Sequence, residues 1–76
     1  MSDKIPALNA RQLIRVLKKI GFIEDRQKGS HLILTHPQRK TRTVVPVHSG
    51  KTIKKPLLRG IIGDTKLSIE EFLKLL

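Results

Sequence analysis

Apolar residues first recur along the chain at helical spacing. Ala10, Leu13, Ile14, Leu17 and Ile20 fall three or four apart, with Arg11, Arg15, Lys18 and Lys19 on the other faces. Asn9 stands before this run as a capping residue. Gln12 is placed to reach back to it, and Leu8 and Leu13 flank the cap as a hydrophobic staple. Gly21 supplies a left-handed stop, with Phe22 beyond it to fold onto the last turn. The pattern predicts a helix over residues 10–20. The period then shortens to that of strands. Phe22–Lys28, His31–Thr35 and Arg42–Val47 read as three strands, separated by Gly29-Ser30 and by the polar turn Pro37-Gln38-Arg39-Lys40. Links this short predict an antiparallel meander. After a loop at Ser49-Gly50-Lys51-Thr52, Pro56 suits the first turn of a second helix. That helix is expected to bury Leu57, Leu58, Ile61 and Ile62, to be weakened at Gly60 and to end at Gly63. Ser68-Ile69-Glu70-Glu71 is a capping box stapled by Leu67 and Phe72. It opens a short closing helix with Ile69, Phe72, Leu73 and Leu76 on one face. The order α-β-β-β-α-α predicts an α+β fold, a three-stranded antiparallel sheet with helices on one face.

Length and composition narrow the class. With 76 residues, one domain over 1–76 is expected, its core running over about 8–75. Apolar residues make up 38% of the chain, too many for a disordered basic tail. The absence of cysteine excludes a disulfide scaffold and any thiolate zinc site. No apolar run is long enough to span a membrane or to serve as a secretion signal, so a soluble, cytoplasmic protein is expected.

Charge changes the picture more. Sixteen Lys and Arg against six Asp and Glu leave a formal net charge of +10. Asp25 is the last acid before Asp64. Between them lie Arg26, Lys28, Arg39, Lys40, Arg42, Lys51, Lys54, Lys55 and Arg59 with no carboxylate to oppose them. A block of this kind repels itself unless an anion lies against it, which points to nucleic-acid phosphates. There is no Tyr or Trp, and the two phenylalanines occupy staple positions, so a base-stacking aromatic platform is excluded. Recognition must rest on cations and backbone geometry.

Candidate chemistry follows from what remains. Metal-dependent cleavage needs clustered carboxylates, and the six acids are scattered, with Glu24 and Asp25 adjacent and Glu70 and Glu71 at a helix start. His31, His36 and His48 lack compact ligand spacing, so neither a metal nor a cofactor is expected. Histidine acting alone is the remaining acid–base group, because imidazole titrates near ~6.5. RNA is cut without metal when a base takes the 2′-hydroxyl proton and the oxygen attacks the adjacent phosphorus, with nearby cations holding the charge that develops. His31 is the first candidate. It follows the tight Gly29-Ser30 turn, where a phosphate can approach the backbone, and it begins a strand. If Leu32 and Leu34 face the helices, alternation puts His31 on the open face together with Ile33. Arg26, Lys28 and Arg42 would join it from the flanking strands. His36, before Pro37, reads as a turn residue, and His48 as a phosphate contact or a loop cap.

Taken in order, the segments "LIRVLKKIGF", "RQKGSHLILTHP", "TVVPVHSGKTIKKPLLRGII" and "LSIEEFL" resemble HicA-type mRNA interferase toxins over roughly residues 8–75. The resemblance implies a double-stranded-RNA-binding-like α-β-β-β-α fold used to cleave messenger RNA. It implies that the family's functional histidine is His31, and that the inhibitor is a HicB-type antitoxin covering the active surface. Leu32 departs from the pattern, since family members often carry a second histidine or an aromatic there, and Pro56-Leu57 replaces a pair of small residues at the second helix. The leading expectation is therefore a toxin acting as a metal-independent endoribonuclease, with His31 as general base and Lys28, Gly29, Ser30, Arg26, Arg42 and His48 binding substrate. The alternative is a non-catalytic module that reads A-form RNA shape with its basic face. A basic surface that serves only to bind an acidic protein is a third reading, distinguished by the absence of RNA binding at low salt.

Overall fold

The computed structural model describes residues 5–47 and 51–76. Its elements follow in the expected order: α1 (Ala10–Lys19), β1 (Ile23–Lys28), β2 (His31–His36), β3 (Thr41–Pro46), α2 (Lys55–Asp64) and α3 (Ile69–Leu73). Both ends of α1 are built by the residues that predicted them. The Asn9 side chain accepts from the Gln12 N–H at 2.9 Å while the Gln12 side chain accepts from the Asn9 N–H at 3.0 Å. Leu8 and Leu13 are both buried. At the other end Phe22 N–H donates to the Leu17 carbonyl and Gly21 N–H to that of Lys18, the Schellman pair, with Gly21 at φ +106°.

The strands form one antiparallel sheet in the order β1-β2-β3. Leu32 and Leu34 of β2 and Val45 of β3 are buried, together with Leu13, Val16 and Leu17 of α1, Leu58, Ile61 and Ile62 of α2, and Phe72 of α3. The helices therefore cover one face of the sheet and leave the other to solvent. This is the α+β, double-stranded-RNA-binding-like arrangement with a short extra C-terminal helix. β1 is exposed throughout and bulges between Glu24 and Arg26. Its Glu24 reaches Lys18 of α1 at 2.6 Å. A charged, bulged edge strand of this kind is poorly suited to pair with another sheet.

Four expectations are corrected. α2 does not stop at Gly63 but runs to Asp64, and the chain turns away at Lys66, whose φ is +66°. A glycine is permitted inside a helix, at a cost near ~1 kcal/mol, when flanking packing such as that of Ile61 and Ile62 holds the turn. Leu57 is not on the buried side; it is 45% exposed, because the apolar stripe of α2 runs through Leu58, Ile61 and Ile62. Leu76 is likewise exposed, lying past the end of α3. His36 is no turn residue. It is the last residue of β2 and is buried on the helix side.

The His36 ring closes the end of the core. A carbonyl only accepts, so Nε2 donates to the Ile20 carbonyl at 2.9 Å and Nδ1 accepts the Arg39 N–H at 3.2 Å, which fixes one neutral tautomer. The ring also meets Phe22 edge-on, with centroids 5.2 Å apart. Gly21 is required beneath it: a Cβ there would lie 2.7 Å from Nε2.

Candidate active site

The site is read from the strand register. Partners across an antiparallel pair share a face, so the open face carries three rows: Lys28-His31-Pro46, Arg26-Ile33-Val44 and Ile23-Thr35-Arg42. His31 is exposed in the first row, while Leu32 and Leu34 point to the helices. Lys28 stands directly across from His31 on β1, and Arg26 is its diagonal neighbour, so the register puts both cationic residues next to the His31 position on one face. Arg42 shares the face but sits two rows away, about 13 Å along the strand at ~3.3 Å per residue. Sequence reasoning grouped Arg26, Lys28 and Arg42 around His31; the register brings the first two together and puts the third at the far end.

The turn that presents His31 is fixed on both sides. Gly29 adopts φ +58°, a conformation a side chain would strain, and it supplies the first position of the two-residue hairpin loop. The Gln27 side chain donates to the Gly29 carbonyl at 3.0 Å, and the Val47 N–H donates to the Ser30 carbonyl at 2.7 Å. The second bond also sets the ladder phase. Ser30 bonds toward β3, so His31 bonds toward β1, and the His31–Pro46 pair is a non-hydrogen-bonded one with Cα atoms about 4.5 Å apart. Pro46 loses nothing by lacking an N–H, since that position points to the free edge of β3. Sequence reasoning did not identify Pro46 as a neighbour of the site; the odd–even phase of β3 against β2 was the signal that held it.

Arg26 contacts Asp25 of the bulge at 3.5 Å, a loose and largely exposed pair that leaves the guanidinium at the surface. Ile23, Ile33 and Val44 form an apolar patch across the same face, Val44 directly opposite Ile33 and Ile23 one row away, and Ile23 and Val44 are 54% and 39% exposed. His48 lies outside the described residues, as do Ser49 and Gly50. Among the described residues no three His, Asp or Glu side chains gather as a metal-binding group. No helix among them is long and apolar enough to cross a membrane.

The family model for the HicA toxin of bacterial toxin–antitoxin systems matches residues 10–67, more than half of the chain. The chain belongs to the HicA toxin family. The match begins at the first residue of α1, covers the whole sheet and α2, and contains the Gly29-Ser30-His31 turn. A HicA toxin is the toxic half of a two-protein system and is a toxin of the ribonuclease kind, so an antitoxin partner and an RNA substrate follow from membership. None of the curated proteins compared with the chain matches it.

Proposed function

We propose that this HicA toxin is a metal-independent endoribonuclease that cleaves messenger RNA in the cytoplasm and so blocks translation, with His31 as the general base. The observation that carries this reading is the contrast between two histidines on one strand. His36 is buried with both ring nitrogens engaged, whereas His31 is exposed at a turn with Lys28 across from it and Arg26 on the diagonal.

In this reading the neutral His31 takes the 2′-hydroxyl proton of the nucleotide at the turn. The 2′-oxygen attacks the adjacent phosphorus, the bond from phosphorus to the 5′-oxygen breaks, and a 2′,3′-cyclic phosphate and a 5′-hydroxyl remain. The leaving oxygen takes its proton from the solvent to which this face is open. Lys28 and Arg26 hold the negative charge that grows on the non-bridging oxygens. Gly29 and Ser30 bring the backbone within reach of the phosphate, and Arg42 grips the strand farther along. His48 is assigned a phosphate contact on its sequence position. The antitoxin is of the HicB type and covers this face, where the apolar patch of Ile23, Ile33 and Val44 gives it a surface to bury beside the cations.

The test is the chemistry of the ends. Cleavage of a short RNA should leave a 2′,3′-cyclic phosphate, and a 2′-deoxy substitution at the scissile nucleotide should stop it. A cut at the deoxy position refutes the 2′-hydroxyl mechanism. Duplex binding without any cleavage replaces it with the passive A-form reader.

A further inference from the structure

A pocket lies next to the His31 row, beyond the free edge of β3. Pro46, Ile53 and Leu57 line it with apolar surface, and Lys51, Lys54 and Thr52 complete its wall. Pro46, which forms part of the pocket wall, is the cross-strand partner of His31, so the pocket lies one strand away from that histidine. Ile53 is buried and fixed by its N–H bond to the Leu8 carbonyl at 2.8 Å, and Thr52 bridges to Asn9. The floor is therefore tied to the N-terminal segment. Leu57 is 45% exposed and lies off the buried stripe of α2, which leaves part of an apolar side chain open at the pocket. Among the described residues no acidic side chain lines this pocket, whereas the adjoining groove along α2 contains Asp64.

We infer that this pocket binds the nucleotide next to the scissile phosphate, with its base against Pro46 and Leu57 and its phosphate held by Lys51 and Lys54. The inference rests on the ribonuclease reading of His31 and adds a subsite to it. Charge complementarity selects the occupant: two lysines with no carboxylate among the described lining residues suit a phosphodiester, and the apolar floor of Pro46, Ile53 and Leu57 suits a base held by contact rather than stacked. The Asp64-containing groove is the poorer path for the same strand. Lys51 and Lys54 thus supply binding held equally in ground and transition states, which sets KM rather than kcat.

The experiment uses the full chain and a fluorescein-labelled 2′-O-methyl RNA octamer of mixed sequence, which binds without being cut. Affinity is measured against salt for the parent, for Lys51→Ala/Lys54→Ala, and for Arg11→Ala/Arg15→Ala, a pair on the solvent side of α1 with the same loss of charge. Two lost phosphate contacts on a single strand lower the log–log slope by about 1.4 and weaken binding roughly 25-fold at ~0.1 M salt. The α1 pair should leave the slope unchanged. Leu57→Ser should raise KM for a cleavable octamer several-fold with kcat unchanged. Thermal unfolding of each variant verifies that it is folded. If the lysine pair gives the same slope as the α1 pair, the subsite is refuted. A poly-glutamate peptide that loses binding to the lysine variant while the RNA slope holds would reassign the pocket to a protein segment and overturn the RNA assignment. The ribonuclease reading fails separately, by absence of cleavage in the parent.

Discussion

His31 and His36 lie on one strand and face opposite ways, so the same substitution at each should have opposite consequences. His36→Ala removes the partner of the half-buried Ile20 carbonyl and of the Arg39 N–H, and it empties the space against Phe22. An orphaned polar group costs about 1–3 kcal/mol and the truncated ring adds a cavity, for a total near ~3 kcal/mol. A chain of 76 residues is expected to be stable by only about 4–11 kcal/mol. The loss is thus a large share of the whole, and at ~4–8 °C per kcal/mol it lowers Tm by roughly 12–24 °C. His31→Ala, at an exposed position, should stay within ~0.5 kcal/mol of the parent. Thermal unfolding followed by circular dichroism, with urea midpoints at constant m, separates the two. A His36→Ala protein as stable as the parent, or a His31→Ala protein as unstable as His36→Ala, would refute the division of labour.

Further outcomes follow from single contacts. Gly21→Ala forces a Cβ against the His36 ring at φ +106° and should destabilise by about 2 kcal/mol or more in urea titration. Gly29→Ala meets no neighbour but must adopt φ +58°, so a loss of ~1–2 kcal/mol should come with slower cleavage from the displaced His31 turn. Thr43 Oγ1 is buried without a hydrogen-bond partner among the described residues, so Thr43→Val should raise stability by ~1 kcal/mol. Hydrogen bonds from the Ser68 backbone and side chain, with Lys74 nearby, hold the exposed Glu71 carboxyl below its ordinary value of 4.5. A lowered folded value makes its contribution fully present above pH 4.5 and lost as pH falls through the lower folded value. The Tm difference between parent and Glu71→Ala should therefore shrink under acid, and a difference that persists at low pH would contradict the cap.

The parts of the fold that were legible in the sequence are those written in local chemistry. Asn9 with Gln12, Gly21 with Phe22, and Ser68 with Glu71 each satisfy helix-end groups within a few residues, so the motif and the contact are the same object. The alternation of Leu32 and Leu34 put His31 on the open face for the same reason. What was not legible depends on distant partners. Gly63 reads as a stop until Ile61 and Ile62 are seen packed into the core. Leu57 reads as buried because it adjoins Leu58. His36 before a proline looks like a turn until the carbonyl of Ile20 appears beneath it. The nearness of Arg26 and the distance of Arg42 are set by the β1 bulge and by the β3 register, and neither is a property of any one segment.

In the proposed mechanism one exposed imidazole, that of His31, does the proton work of RNA cleavage without a metal ion. The direct measurement is a time course on a labelled transcript in excess chelator, parent beside His31→Ala, with both proteins shown to be folded and to bind the RNA equally. The parent should cut and the variant should not. Equal cleavage by the two, or a parent that needs a divalent ion, would contradict it.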